Sequence, residues 1–387
     1  MAAIRRHDID WLRVLATYLL FAFHTAKVFD VRPLYHVKNA ELSAGLGYFT
    51  GFVHQWHMPL FFLLAGWSAA GSVRLRGVAG FVRERSSRLL VPLAFGLIAF
   101  GPVLRWIELR TGQFYTTSGR LLPADPDIGF LTFLPRYFAV ENLTWAHLWF
   151  LAYLFTFSVL YLPLVARLVR RAPVHWTAPA SVVYLPIVPL ALIQVTLRPR
   201  WPGFQNLVDD WANFAYYSCY FLLGTAPAYL PLLERRVQRE AGRAAALALV
   251  AYAGLILTEA HGWTTANLML TAVASWCTVV GVLGAAARWL DVSNAALRWL
   301  AESAFPVYVL HQIAVAGLAF LVIGAPLGIP AKFAIVMVGA VVLTLAAYQL
   351  LVRPFGPMRF LLGMKGQPPP AHGGRAATVQ TALPADR

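Results

Sequence analysis

IDWLRVLATYLLFAFHTAKVF, residues 9–29, decides how the rest of the chain is read. A hydrocarbon core of about 30 Å takes roughly 20 residues of helix to cross, and this run has that length while carrying Arg13 and His24. An ionisable side chain at membrane depth costs a few kcal/mol, so it turns toward a bundle interior and marks function. Eleven residues separate the two, which is within about 20° of three full helical turns and about 16 Å along the axis. Both therefore point to one interior from one helix face. Nothing after the run resembles a cleavage site, so it reads as a retained helix and not a signal peptide.

Working outward, apolar runs of similar length recur at about 46–71, 87–107, 145–166, 178–197, 211–232, 243–260, 264–286, 303–323 and 331–352. The expected fold is thus an all-α membrane protein, a bundle of about ten transmembrane helices. Composition agrees: 59% of the 387 residues are apolar and 13% charged, against about 45–50% and 25% in soluble domains. Residues 1–360 read as one polytopic domain and 361–387, with Pro368, Pro369 and Pro370, as a disordered tail.

A net charge of +15 would suit nucleic acid, but Lys and Arg cluster in short connections, as in Arg74–Arg88 and Arg235–Arg243, which is how orientation in a bilayer is set. The bilayer is the expected partner and nucleic acid is not. The distribution places both termini in the cytoplasm, in a multi-pass protein of the bacterial inner membrane type. Cys219 and Cys277 sit inside apolar runs and suit neither a disulfide framework nor a metal site.

Five further features bear on chemistry. RERSSR, ending in Arg85 and Arg88, sets guanidiniums at a membrane entrance, where they can fork onto phosphates or simply obey the positive-inside rule. His54 and His57 share a face of the second run; without an HxxxH pattern or nearby carboxylates, no metal is expected. His147 opens the fourth run. Glu302, Tyr308 and His311 lie along the ninth, each on its own as well explained by core hydrogen bonding as by catalysis. The connection 108–144, rich in Pro, Phe and Tyr, has the length of a lid or acceptor platform.

Arg13 and His24 at their spacing, FFLLAG at 61–66, the RxxR of Arg85 and Arg88, HLWFL at 147–151, YVLHQ at 308–312 and RFLLGMK at 359–365 run in this order along the chain. Together they resemble the membrane acyltransferase 3 family, and within it the glucan biosynthesis protein C branch. The resemblance implies a cytoplasmic acyl-CoA co-substrate, no bound cofactor, and an extracytoplasmic glycan or small hydroxyl acceptor. It implies donor binding by Arg13, Arg85 and Arg88, with His24 as general base or, alternatively, as a covalent acyl carrier. His57, His147, Glu302, Tyr308 and His311 are then candidates to line the site. Acetyl and succinyl groups both fit, and a succinyl donor would favour an extra cation such as Lys27. A transporter or flippase is the competing class, though no paired broken helices in matching halves support it.

Overall fold

A computed structural model describes residues 6–117, 119–177 and 179–364. Among these residues the chain is helical and has no strand, only isolated bridges at Asp30–Ser43 and Tyr115–Leu121. In order the helices are α1 (His7–Phe29), α2 (Ala44–Arg85), α3 (Val91–Ala99), α4 (Gly101–Thr111), α5 (Phe130–Tyr137), α6 (Trp149–Leu160), α7 (Leu162–Arg170), α8 (Ile187–Leu197), α9 (Trp211–Thr225), α10 (Pro231–Ala260), α11 (Thr264–Trp289), α12 (Ala295–Val322), α13 (Ile329–Ala347) and α14 (Gly356–Leu361).

By length and composition seven stretches among the described residues can cross a membrane, or eight if the bent pair 146–160 and 162–170 counts as one span. Ten were expected, and the difference has two sources. Ala44–Ala99 is one stretch of 56 residues covering two of the expected runs, broken at Gly77, whose φ of 68° suits a residue without Cβ. Helix α9 has 15 residues, too few to span on length alone. The tail expected to begin at 361 lies outside the described residues beyond Met364; Leu361 is the last residue of α14, and Leu362 and Gly363 form the turn after it.

Helix α1 packs against α2, α12 and α13, which places Arg13 and His24 inside the bundle. Large apolar side chains such as Leu192, Leu249, Val250, Val338 and Val342 point outward, as lipid-facing positions should. The α2–α9 contact depends on two glycines. A Cβ built on Gly66 would lie 1.9 Å from the Phe221 carbonyl oxygen, and one on Gly224 would lie 1.9 Å from that of Leu63. Small residues permit this backbone approach, the usual basis of helix association in lipid.

Gly66→Ala should therefore force α2 and α9 apart and cost about 1–3 kcal/mol, read as a lower thermal midpoint in detergent. Gly242→Ala, where an added Cβ meets nothing within 4 Å, should not lower it; equal losses in the two variants would remove the close-approach argument.

Candidate functional site

A cavity of about 1620 Å³ runs through the bundle, and Arg13, His24, His57, Arg85, Arg88, His147, Tyr308 and His311 all line it. At one end stand the arginines. Arg13 faces inward from α1, with Nη2 3.4 Å from the Leu64 carbonyl and Nη1 3.6 Å from Asp10. Arg85 ends α2 with its guanidinium 5.2 Å from the Phe81 ring centre. Arg88 belongs to a π-helical turn, Ser86–Leu90, that joins α2 to α3. Its Nε donates to the Gly363 carbonyl at 3.2 Å, and its Nη1 lies 3.5 Å from Glu84. A π turn is a rare insertion in a helix and recurs at functional sites; here it sets the direction of the RxxR pair.

Further along, three imidazoles meet. The ring centres of His24 and His311 are 5.1 Å apart and those of His311 and His147 are 5.0 Å apart. Tyr35 stacks on His24 at 5.8 Å. Two reciprocal bonds hold His147 against α12: its Nε2 donates to the Val309 carbonyl at 3.2 Å, and the Tyr308 hydroxyl donates to the His147 carbonyl at 2.8 Å. His57 has a structural bond as well, 2.7 Å from Nε2 to the Ala16 carbonyl, tying α2 to α1. Among the described residues no three His, Cys, Asp or Glu side chains are grouped as metal ligands would be.

Two expected residues stand apart. Glu302 does not line the cavity and accepts an ion pair from Arg359 at 3.3 Å. The reason is helical: nine residues from Glu302 to His311 amount to a half turn of net rotation, so the two occupy opposite faces of α12. Lys27 is likewise absent from the lining and lies 3.3 Å from the buried Asp30.

The far end is built from connections. Arg105 and Glu108 of α4 are both buried and paired at 2.7 Å, and the same carboxylate meets His36 Nδ1. Arg105 also donates to the carbonyls of Tyr115 at 2.7 Å and Asn142 at 3.1 Å, so one guanidinium gathers the 112–145 connection onto α4. Burial pushes the Glu108 carboxyl up, but Arg105 and His36 outweigh it and hold it below the usual carboxylate range. Among the described residues the non-glycines with positive φ are Leu34 (69°), Ala146 (44°) and Gln205 (55°), and all three line this cavity. Strain of this kind persists where the surroundings over-determine the backbone, often at ligand sites. Here the Trp145 indole donates to the Gln205 carbonyl at 3.1 Å, and Asp210 accepts from the Gln205 amide at 3.0 Å.

Sequence reasoning did not assign Tyr35, His36, Glu108 or Gln312 to the site. Gln312 had a signal, since it directly follows His311 in a quoted motif. His36 and Tyr35 lie in a connection, where no periodicity reports direction.

A helical membrane bundle enclosing a passage with arginines at one end and imidazoles midway defines a polytopic protein with an internal polar site. The pattern of the acyltransferase 3 family, described as an acyltransferase domain, matches residues 6–349. The chain belongs to that family and is an acyltransferase, acting on groups other than aminoacyl groups. It is similar to the glucans biosynthesis protein C of Salmonella paratyphi B and of Salmonella typhi, 21% identical to each over 277 residues, 67% of this chain and 68% of theirs. No solved structure matches it.

Replacing Glu108 by Leu should leave the Arg105 charge buried without its carboxylate, at a cost of about 3–5 kcal/mol. A carboxyl whose folded pKa lies below its unfolded value stabilises above the unfolded pKa, ordinarily 4.5, and loses that stabilisation as pH falls further. The wild-type midpoint should therefore drop in acid more than the variant's does. Parallel acid profiles would show that the pair contributes nothing.

Proposed function

We propose that the protein transfers an acyl group, of acetyl or succinyl type, from cytoplasmic acyl-CoA to a hydroxyl of an extracytoplasmic carbohydrate or similar acceptor. The observation that carries this reading is the continuity of one cavity from Arg13, Arg85 and Arg88 to His24, about 16 Å further along α1. The arginine end suits the phosphates of the donor, because guanidiniums fork onto phosphate oxygens. The clustering of Arg74, Arg76, Arg83, Arg85 and Arg88 supports placing that end on the cytoplasmic side. An extended pantetheine arm then follows α1 and presents its thioester to His24.

His24 acts as general base in this scheme. It takes the proton of the acceptor hydroxyl as that oxygen attacks the thioester carbon, the carbon–sulfur bond breaks, and the thiolate receives the proton back. The products are an ester and free CoA, with no net proton change. A base so placed contributes about 10² to 10⁴ in rate. Neither substrate crosses the membrane whole, since only the acyl group passes from one side to the other. The name shared by the Salmonella relatives, glucans biosynthesis protein C, makes a glucan one acceptor of the proposed kind.

Mass spectrometry of envelope glycans from cells with and without the gene should show an ester-sized mass difference that alkali removes. His24→Ala should abolish that difference by at least about 100-fold while the protein still inserts; retained ester would sink the assignment of His24. Arg85→Ala and Arg88→Ala should each raise the acyl-CoA concentration needed for half-maximal rate by about tenfold with a smaller change in turnover. An unchanged donor requirement would return the pair to a purely topological role.

A further inference from the structure

Two guanidiniums at the arginine end converge on one carboxylate, and the chain reaches that arrangement through a break in a helix. Twelve residues along an unbroken helix lie about 18 Å apart. The break at Gly77 instead brings Glu84 back to Ser72, whose hydroxyl donates to Glu84 Oε2 at 2.9 Å. Arg76, just before the break, donates from Nη1 to Ser72 Oγ at 2.9 Å and stands 3.5 Å from the same Oε2. Arg88, in the π turn, stands 3.5 Å from Oε1. Ser72, Arg76, Glu84 and Arg88 all line the cavity.

Two guanidiniums and a hydroxyl directed at one point beside a passage make a seat for an anion, and Glu84 is the anion that the chain itself supplies. Its hold is loose. Charge-assisted bonds in good geometry measure about 2.7–2.9 Å, as between Arg105 and Glu108 at 2.7 Å. Around Glu84 both guanidiniums stand off at 3.5 Å, with more than a third of each side chain exposed, and exposed pairs of this kind contribute little. A phosphate carries more acceptor oxygens than a carboxylate and is forked as readily by guanidiniums, so it can take over Arg76, Arg88 and the Ser72 hydroxyl together.

We propose that Arg76, Arg88 and Ser72 form a seat for one phosphate of the donor, and that Glu84 is a tethered competitor for that seat. This rests on the reading of the arginine end as the acyl-CoA site. It adds Arg76 and Ser72 to the donor contacts, and it gives a carboxylate among arginines a purpose. Acyl-CoA and the CoA left after transfer carry the same phosphates, so the arginines hold substrate and product alike. A uniform grip of that sort does not speed the chemistry, and it slows release. Glu84, returning to the seat, lowers the affinity for both and favours departure of the spent CoA.

Calorimetric binding of CoA to the purified full-length protein in detergent, for wild type, Glu84→Gln, Arg76→Gln and the double variant, tests the seat. Glu84→Gln should tighten CoA about tenfold and Arg76→Gln should weaken it by a similar factor. Once Arg76 is replaced, adding Glu84→Gln should change the affinity by less than about threefold, because the two side chains act at one point. Unchanged or weaker binding in Glu84→Gln, at a wild-type thermal midpoint, overturns the proposal and leaves Glu84 a residue that positions the guanidiniums. A full tenfold gain in the Arg76→Gln background would reduce Glu84 to a diffuse negative charge and overturn the seat. Should Glu84→Gln not fold, Arg76→Gln decides, and an undiminished CoA affinity there overturns the proposal. Wild-type protein that binds no CoA would remove the donor reading, and the seat with it.

Discussion

An imidazole or guanidinium on a membrane helix meets no water in the hydrocarbon, so it must turn to other protein groups or to a cavity inside the bundle. Arg13 and His24 impose this demand on α1, and the packing around α1 answers it. Helices α2 and α12 close on either side, bringing Leu64 and Ala16 carbonyl contacts for Arg13 and His57 and the His311 ring for His24. What remains between these helices is a passage in which Arg13, His24, His57 and His311 stand among apolar side chains such as Val14, Phe23 and Phe61.

The two ends of that passage are held by different means. At the arginine end the side chains are partly open and lightly engaged, with Arg13 and Arg88 at 38% and 37% side-chain exposure. At the far end Arg105 spends its donors on the carbonyls of a long connection and its charge on Glu108. Lys38 does the same for the α1–α2 connection, donating to the Lys27, Asp30 and Arg32 carbonyls. Cations engaged in this way, by backbone oxygens, a carboxylate and, for Arg105, the Phe114 ring at 4.6 Å, serve rigidity.

Much of this was readable from residues alone where a helix transmits direction. The eleven-residue interval of Arg13 and His24 correctly predicted a shared face, because helix phase is a property of spacing. The same arithmetic applied to Glu302 and His311 would have separated them. Kinks and connections are another matter. Gly77 is one glycine among many until the backbone around it is known, and nothing in RERSSR reveals a π turn. Arg105 and Glu108 sit at the frayed end of an apolar run, where a charge reads as a loop residue, and their pairing with His36 joins segments that share no pattern.

The π turn between α2 and α3 makes this segment sensitive to chain length in a way that residue identity does not capture. Such a turn holds one residue more than an α-helix needs, so losing any one residue from Ser86–Leu90 would restore the α-helical register between α2 and α3, with only the bond that Pro92 cannot donate left unmade. The apolar face of α3 would then rotate by about 100° against the guanidiniums before it. In this stretch a deletion that improves the helix damages the site more than many substitutions would, and natural variation there should conserve length before it conserves letters.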